Sequence, residues 1–550
     1  MSLGQAPQSE DVFRSGSQFC RERLAPTSIY ELLYRESHRL FPDEDFADLF
    51  AKIGRDCVPP RIVAVVMVLQ RLEGLSDREA VERFTFDLRW KYAAGGLAYD
   101  EPGFVHTVLV DMRARLRRSA RPNRIFETAL AVAQSAGLVG RKRVLDSTPL
   151  YDAVATQDTV TLVRSAIRSV LAVADAEMAA RLRSLCRRDD DYRAPGKPVC
   201  DWQDEAAREA LIDALSRDAY AILAALDGEQ LSLELSQAAQ LLGSVVGQDI
   251  ELGESGVFRI VRGVAKNRVI STVDPEARHG HKTAAHGFDG YKGHLAVDPD
   301  SEIITATEVT AGNAADGSVA EKLCPEVFEQ ALVEQESAKE SKQESAKESE
   351  KESTRESEKE SPAAEPFAVY GDTAYGTTEF VQKLEGAEIE VYVKVALPSA
   401  PAGKFSKAVF EVDLDKRTVR CPGGVLVVIK DSTDGGGLAH FGSHCAHCPL
   451  RNRCTDGKGG RHLRIHKDEA MLQRERQRQQ SPTWKASYRA TRPKVERKFG
   501  HLMQKRHGGR RARMRGTERV GQDFALLGAA HNFKRLAKLG VRHENGVWHR

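Results

Sequence analysis

The sequence predicts an α/β protein in which a mixed sheet is flanked by helices and interrupted by insertions. Short, β-branched apolar segments at 143–148 and 367–372 are typical of buried strands. The second segment is followed by a helical pattern and another strand, which predicts a parallel strand-helix-strand unit. Apolar residues at helical spacing dominate before the first segment and after residue 484, so we expect helices at both ends of the chain.

Length and composition define the broad class of the protein. The chain has 550 residues, enough for about three domains that each bury a core. Hydrophobic residues make up 41% and charged residues 29%, which is typical of a soluble globular protein and excludes a disulfide-stapled peptide. No apolar run approaches the roughly 18 residues of a membrane span, and residues 1–10 lack the apolar region of a secretory signal. We therefore expect a cytoplasmic protein that does not bind a membrane.

The net charge of +2 conceals a strongly basic segment near the C-terminus. Residues 461–540 contain 22 Lys and Arg against 6 Asp and Glu, a local charge of +16. Apolar and aromatic residues alternate with these cations, which indicates a folded surface for a polyanion and not a solvated tail. The run at 506–519 is expected to contact a DNA backbone.

A pair of helices is predicted in the N-terminal part of the chain. An apolar run at 61–72 follows two prolines, which are accepted in a first helical turn. Ser76 and Glu79 then form a capping box for a second helix at 77–84. This helix-turn-helix pattern either packs within a core or reads DNA. In the second case the phosphate contacts are Arg78, Arg83, Arg89 and Lys91.

The sequence changes character between the two predicted buried strands. Residues 151–250 carry Leu, Ala and Arg at helical spacing and predict an all-helical insertion. Strand character returns at 257–273 and again at 291–309, where a turn makes a hairpin. A helix at 317–335 precedes a repeat of Lys, Glu and Ser at 336–362, whose composition cannot bury apolar surface and predicts a linker.

Two aspartates are candidates for chemistry because each lies near the C-terminal end of a predicted buried strand. These are Asp146 and Asp372. If their strands are parallel neighbours about 4.8 Å apart, the two carboxylates can hold a pair of metal ions at a phosphodiester. The alternative is that each aspartate merely caps a loop, and a third carboxylate is needed to decide.

Glu496 is the candidate for the third carboxylate. Pro493 marks the start of its helix, in which Val495, Phe499, Leu502 and Met503 form the buried stripe. Glu496 lies at the edge of that stripe, where a carboxylate either faces a site on the sheet or pairs with nearby lysines at the surface. The opposite side of the helix is predicted to carry Lys494, Lys498, His501 and Lys505.

Four of the nine cysteines crowd into a Gly-rich segment that is rich in strand-forming residues. Their spacing includes a C-x-x-C pair and allows a tetrahedral zinc site, in which a structural ion stabilises the insertion without catalysing a reaction. The alternative is a cluster of reduced, partly buried thiols. The four residues are Cys421, Cys445, Cys448 and Cys454.

Basic side chains in two segments are candidates for DNA phosphate contacts. The first segment also holds four histidines, but its arginine and lysines suit phosphate better than metal. Asp298 is explained by its turn and Asp316 by the start of a helix after Asn313. The candidates are Arg278, Lys282, Lys292, Arg492, Lys498, Lys505, Arg510 and Arg511.

Taken together, these segments resemble the DDE transposases of bacterial insertion sequences, in the group with a Tyr-Arg-Glu-Lys signature. Arg492 keeps its place before Glu496, whereas Tyr488 comes one residue early and Met503 stands where the lysine is expected. The matching segments are 75–80 and 87–92 in the N-terminal helices, 144–148 and 370–375 at the two strands, 495–500 in the glutamate helix, and 281–282, 288–293, 312–313 and Asp316 between the strands.

The resemblance implies an RNase H-like core in which Asp146, Asp372 and Glu496 form a catalytic triad that binds Mg²⁺ or Mn²⁺. It also implies double-stranded DNA as partner, both as transposon ends with inverted repeats and as target. The reaction would be DNA cleavage followed by strand transfer, carried out by a homodimer on the DNA. The location would be the nucleoid of a prokaryotic cytoplasm. The alternatives are a catalytically inactive, transposase-derived DNA-binding protein and an RNase H-like nuclease without transposition.

The expected domain organisation combines the composition with this resemblance. The segments are a helical DNA-binding domain at 1–140, the first part of an RNase H-like core at 141–335 with the helical insertion at 151–250, the linker at 336–362, the second part of the core at 363–398, the Cys-containing β-rich insertion at 399–460, a basic helical part with the catalytic glutamate at 461–540, and a tail at 541–550.

Overall fold

The computed structural model describes residues 16–152, 156–283, 285–349, 365–400 and 403–550. It is a mixed α/β structure with a helical N-terminal region and a mixed sheet. Within the described residues, no helix combines the length and the apolar character that a membrane crossing requires.

The N-terminal region is helical, and its local sequence explains the helix ends. The predicted pair of helices is present, and Ser76 and Glu79 form the expected capping box. Gly74 ends the first helix of the pair with a φ of +70°, which suits glycine. The helices are α1 (Ser17–Arg23), α2 (Ile29–Leu40), α3 (Pro60–Glu73), α4 (Asp77–Phe86), α5 (Leu88–Ala93), α6 (Thr107–Arg118) and α7 (Arg124–Ser135), with a 3-10 helix at Asp43–Leu49.

The α3–α4 pair packs into the core, which favours the first interpretation of the helix-turn-helix pattern. Helix α3 is buried along nearly its whole length. Lys91 is buried and donates hydrogen bonds to the carbonyls of Tyr99 and Glu101, so it does not reach the surface. Arg89 pairs with Asp87 instead of remaining open for phosphate.

The central sheet starts with β1 (Lys142–Tyr151), a strand longer than the predicted segment. A helical segment follows, and its residues form their own hydrophobic core. This segment contains α8 (Thr159–Val173), α9 (Ala176–Leu185), α10 (Glu205–Leu226), α11 (Leu233–Asp249), and a small hairpin of β2 (Ile250–Leu252) and β3 (Phe258–Ile260). The predicted strand character at 257–273 is wrong beyond Ile260, because residues 261–273 have no partner strand and follow bends and turns.

The predicted hairpin after this helical segment is confirmed. Strands β5 and β6 pair in antiparallel fashion, and Asp298 accepts hydrogen bonds from the backbone N–H groups of Asp300 and Ser301 in the turn between them. Strand β5 also pairs with β1 and with β4. The strands are β4 (Arg278–Thr283), β5 (His286–Val297) and β6 (Ile304–Ala311).

The second half of the sheet is parallel, as the strand-helix-strand pattern predicted. Strand β7 pairs in parallel with β1 on one side and with β8 on the other, so the order is β4-β5-β1-β7-β8, with β6 also on β5. The predicted helix at 317–335 starts only at Pro325, after two short 3-10 helices. These elements are α12 (Pro325–Ser349), β7 (Ala368–Gly371), α13 (Thr378–Gly386) and β8 (Glu390–Val393). Helix α12 enters the predicted linker, and the rest of that linker, 350–362, lies outside the described residues.

The cysteine-containing segment forms a separate antiparallel sheet with its own hydrophobic cluster. Phe410, Val419, Ile429 and Phe441 contribute to that cluster. Its elements are β9 (Glu411–Asp413), β10 (Thr418–Arg420), β11 (Leu426–Asp431), β12 (Gly437–His440), α14 (Arg451–Cys454) and β13 (His462–Ile465).

The C-terminal part is helical and connects the sheet to the N-terminal region. Its last long helix contacts β6 on one side and the helices α3 and α7 on the other. A buried ion pair joins Arg71 of α3 to Asp523 at 3.2 Å. The elements are α15 (Glu469–Arg478), α16 (Pro482–Thr491), α17 (Pro493–Leu502), α18 (Thr517–Lys538), β14 (Arg542–Glu544) and β15 (Val547–His549).

Candidate active site

The register of two parallel strands places Asp146 and Asp372 side by side. Asp146 lies in the middle of β1, not at its end, whereas Asp372 directly follows β7. Val144 is opposite Tyr370 in the ladder, so two residues further along each chain the aspartates lie level with each other. The side chain of Asp146 is 15% exposed and that of Asp372 is 44% exposed.

Glu496 reaches the same place from the first turn of α17. The helix packs against β1 and buries Val495, Phe499 and Leu502, as the apolar stripe predicted. Glu496 lies at the edge of this stripe, and its side chain is 64% exposed. The buried face therefore fixes the helix on the sheet, while its margin presents the carboxylate to the two aspartates.

A single guanidinium group contacts all three carboxylates. Arg492 Nη2 lies 2.8 Å from Asp146 Oδ1 and 3.9 Å from Asp372 Oδ2. Arg492 Nη1 lies 3.5 Å from Glu496 Oε1. Arg492 is only 7% exposed, and among the described residues its Nε and Nη1 atoms have no hydrogen-bond partner. The three acidic side chains, far apart in the sequence, thus converge around one cation.

Burial controls the protonation of the innermost carboxylate. Removal of Asp146 from water raises its pKa, because desolvation disfavours the charged form. The neighbouring Arg492 guanidinium opposes this effect, and Asp372 adds to it. A cation next to Asp146 therefore favours the charged form of its carboxylate.

The three carboxylates line an open cavity of about 760 Å³. Four of the eight predicted DNA-binding residues line it as well, namely Lys282, Lys292, Arg492 and Arg510. The other four, Arg278, Lys498, Lys505 and Arg511, do not line it. Arg278 instead donates hydrogen bonds to the carbonyls of Pro275 and Ala277.

Lys498 lies on the inner side of α17, contrary to the predicted exposed row. It is 5% exposed, and burial lowers the pKa of its ammonium group to about 8. Lys498 precedes Leu502 by four residues, so helical spacing places both on the same side of α17, and the prediction of an exposed row misread that spacing. The charges of Glu302 and of Lys534 and Arg535 in α18 act on its ammonium group. Lys505, in contrast, is exposed.

Asp316 belongs to the site, although the sequence explained it only as the start of a helix. It opens a 3-10 helix but does not cap it. Its carboxylate instead accepts hydrogen bonds from Lys292 Nζ at 2.7 Å and from Ser147 Oγ at 2.5 Å. The partners lie on β5 and β1, so only the register of the sheet reveals the pair. The sequence did indicate a role for Asp316, because this residue is among those that carry the resemblance to DDE transposases.

A buried hydrogen-bond chain supports this side of the cavity. His294 is fully buried and contacts Tyr375 Oη through Nδ1 and Thr310 Oγ1 through Nε2, each at 2.9 Å. Burial lowers the pKa of His294 to about 4. Tyr375 follows Asp372 by three residues, so the neutral histidine fixes the turn that carries the second aspartate.

The four predicted zinc ligands converge at one end of the small sheet. All four are free cysteines, and they line one cavity of about 20 Å³, roughly the space of one water molecule. A Cβ atom on Gly423 would lie 3.4 Å from Cys448 Sγ and 3.6 Å from Cys421 Sγ, so both sulfurs approach the same point. The N–H of Arg461 donates to Cys445 Sγ at 3.4 Å.

Both sets of side chains have the chemistry of metal ligands. Carboxylate oxygens are the donors that Mg²⁺ and Mn²⁺ prefer, and cysteine thiolates are the donors that Zn²⁺ prefers. In the part of the chain that the structure describes, however, no group of three or more His, Cys, Asp or Glu is arranged so that it could hold an ion. In the carboxylate set, the guanidinium of Arg492 lies between the acidic groups.

Models of known families match two segments of the chain, one towards each end. The family model described as transposase DDE domain matches residues 421–537, and the one described as transposase domain (DUF772) matches residues 23–115. The two segments are thus similar to transposase domains, and neither model spans half of the chain. A DDE transposase domain implies an enzyme that processes DNA, and such domains typically use a divalent metal. No curated protein and no solved structure matches the chain.

The DDE match and the geometry are independent observations. The matched segment contains the cysteines and Glu496, but neither Asp146 nor Asp372. The association of these aspartates with Glu496 therefore comes from the pairing of β1 with β7 and from the contacts of Arg492.

Proposed function

We propose that this protein is a transposase that cleaves DNA at the terminal inverted repeats of its own insertion sequence and joins the ends to a target by strand transfer. The observation that carries the proposal is the contact of Arg492 with Asp146, Asp372 and Glu496 in one open cavity. The sheet order, with β6 on β5 and then β5-β1-β7-β8, supports an RNase H-like core.

The residues of the cavity divide into two roles. Asp146, Asp372 and Glu496 would hold Mg²⁺ or Mn²⁺, and such ions activate an attacking oxygen and stabilise a leaving one at a phosphodiester. Lys282 and Arg510 lie in the same cavity and place cations where the phosphates of a bound strand would pass. Lys292 is neutralised by Asp316, so it positions that carboxylate and Ser147 more than it attracts DNA.

The experiment uses the full chain and DNA fragments with the inverted repeats that flank its gene. With Mg²⁺, we expect nicks at the repeat ends and joined products in which a 3′ end is linked to target DNA. Asp146→Asn and Asp372→Asn should reduce both by at least about a hundredfold while binding persists. Full activity of either variant would overturn the triad. Cutting without preference for the ends would indicate a plain nuclease, and binding without cutting an inactive derivative.

We also propose that Cys421, Cys445, Cys448 and Cys454 hold a structural zinc ion. The shared cavity and the approach of Cys421 and Cys448 to one point support this assignment. Four thiolates complete a tetrahedral shell and leave no open position, so the ion would stabilise the small sheet without taking part in the reaction.

The same proposal includes a homodimer on the DNA and a place at the nucleoid of a prokaryotic cytoplasm. Two ends must be brought together before they are joined, and two copies of the chain would supply one site for each end.

A further inference from the structure

A second groove adjoins the acidic cavity and shares two residues with it. This second groove has a volume of about 650 Å³, and Arg492 and Glu496 form the boundary between the two spaces. Thr373, the residue after Asp372, also lines it. A polymer that passes over the three carboxylates would therefore enter the second groove directly.

The second groove carries cations that nothing in the described residues neutralises. Lys394 and Arg489 line it and form no ion pair with any described residue, and Lys485 donates only to the amide oxygen of Gln480. Among the described residues that line it, Glu496 is the only one with a carboxylate. In the preceding helix, α15, a basic residue is neutralised instead, because Arg474 forms an ion pair with Glu385.

Buried donors without partners also line the second groove. Gln479 is 8% exposed, and its Nε2 has no hydrogen-bond partner among the described residues. Arg492 is similarly buried, and its Nε has no hydrogen-bond partner among the described residues. Because buried donors are nearly always paired, these N–H groups point to an acceptor ligand, and phosphate oxygens are strong acceptors.

The aromatic residues of the second groove are already engaged. Tyr488 stacks on Trp484 with a centroid distance of 4.9 Å, and Lys394 Nζ lies 4.5 Å from the centroid of the Tyr488 ring. The hydroxyl of Tyr488 donates to the carbonyl of Gly371. With its ring faces occupied, Tyr488 does not offer a free platform for a base. The groove therefore fits the backbone of a nucleic acid better than its bases.

We propose that the second groove binds the sugar-phosphate backbone of a single DNA strand that continues from the scissile phosphate out of the acidic cavity. A pocket of this volume accommodates a drug-sized molecule, so it takes a short stretch of one strand and not a duplex. The phosphates contact Lys394, Arg489 and Gln479, and the binding is independent of base sequence. This inference rests on the proposed function, because it assigns a strand to the same site.

The test measures the binding of the full chain to labelled DNA of arbitrary sequence without divalent metal. One duplex is blunt, and two others carry a short single-stranded extension at the 5′ or the 3′ strand. We expect tighter binding of one extended duplex than of the blunt one. The double variant Lys394→Ala/Arg489→Ala should lose about tenfold in affinity for that duplex and stay within twofold for the blunt one. For that duplex, the slope of log affinity against log salt concentration should become shallower by about 0.7 for each phosphate contact that the double variant loses.

Two further variants make the result decisive. Arg489→Glu should reproduce most of the loss even if removal of Lys394 disturbs Tyr488, because Arg489 is exposed and unpaired among the described residues. Arg474→Ala, which removes a paired cation outside the groove, should change nothing. An equal loss on blunt and extended DNA, or no loss at all, would overturn the inference.

The same assay separates this inference from the proposed function. Asp146→Asn should keep the preference for the extended duplex. If DNA cleavage is never observed but the preference depends on Lys394 and Arg489, only the proposed chemistry fails. If cleavage occurs and the preference is absent, only the groove assignment fails.

Discussion

Arg492 is the residue on which the geometry of the candidate site depends. It separates three carboxylates that would otherwise repel one another, and both it and Asp146 are largely buried. Removing one partner of a buried ion pair costs about 3–5 kcal/mol, because the remaining charge loses its compensation.

We expect Arg492→Ala to lower the free energy of unfolding by about 3 kcal/mol. Added Mg²⁺ should restore more stability to this variant than to the unchanged protein, since a divalent cation can take over the neutralising role. Urea unfolding with and without Mg²⁺ measures both effects. Arg489→Ala, one turn earlier and without an ion pair in the described structure, is the control and should stay within about 0.5 kcal/mol. Equal stability of the two variants would contradict this role.

Three described histidines are buried, and the two whose pKa is lowered most, His294 and His531, should make the protein sensitive to mild acid. Burial lowers the pKa of His294 to about 4, and burial with the nearby charges of His507 and Lys498 lowers that of His531. As the pH falls below about 6.5, these two histidines become protonated in the unfolded chain while they are still neutral in the folded protein. The contribution of each histidine to the free energy of unfolding is therefore fully present above that pH and is lost as the pH falls.

The expected loss is about 1.4 kcal/mol per pH unit for each histidine. The variant His531→Leu removes one of the two groups and should reduce the slope of unfolding free energy against pH between about pH 6 and 4 by the same amount. Urea midpoints at several pH values measure the slope. An unchanged slope would show that His531 is already protonated in the folded protein.

At the scale of elements, the cysteine-containing sheet should depend on zinc. As purified, the full chain is expected to hold about one zinc ion per molecule, and Cys448→Ser and Cys454→Ser should each lose it. Cys200→Ser is the control, because Cys200 lies between α9 and α10, away from the small sheet in the sequence. A chelator should destabilise the sheet of β9 to β13 and spare the central sheet, which has separate hydrophobic clusters. Mass spectrometry measures the zinc content of each protein. A stable protein that holds no zinc would refute the assignment.

The sequence predicted elements well where local chemistry determines them. The parallel unit of β7, α13 and β8 and the capping box at Ser76 are present because apolar runs, turns and caps act over a few residues. The Asp316–Lys292 pair was missed because it requires the register of β5 against β1 and the path of the chain after β6. Lys498 was placed on the exposed side in error, because its spacing of four residues from Leu502 already puts it beside the buried stripe of α17.

At the scale of the whole molecule, α18 joins the N-terminal helices to the sheet. The ion pair of Arg71 with Asp523 lies in this junction, and its side chains are 2% and 9% exposed. Arg71 also donates to the carbonyl of His507, which ties the loop after α17 to α3. The two segments that match transposase families therefore meet at a buried charge.

Asp523→Ala should cost about 3–5 kcal/mol, because it leaves Arg71 buried without an acid. The double variant Arg71→Met/Asp523→Leu should recover much of this loss, since an apolar pair of similar size needs no compensation. Arg121→Ala, which breaks the exposed pair with Glu127, should change stability by less than about 1 kcal/mol. Chemical unfolding measures the free energy of unfolding of all three variants. If Asp523→Ala and Arg121→Ala are equivalent, the junction does not depend on the buried pair.

The most direct test of the central claim is to locate the divalent cation on the folded chain. Fe²⁺ can replace Mg²⁺ and, with ascorbate and peroxide, generates radicals that cut the polypeptide close to the bound ion. We predict cuts near residues 146, 372 and 496 together, suppressed by excess Mg²⁺ and lost in Asp146→Asn. Cuts confined to one of these segments, or cuts elsewhere that Mg²⁺ suppresses equally, would contradict a single site built from the three carboxylates.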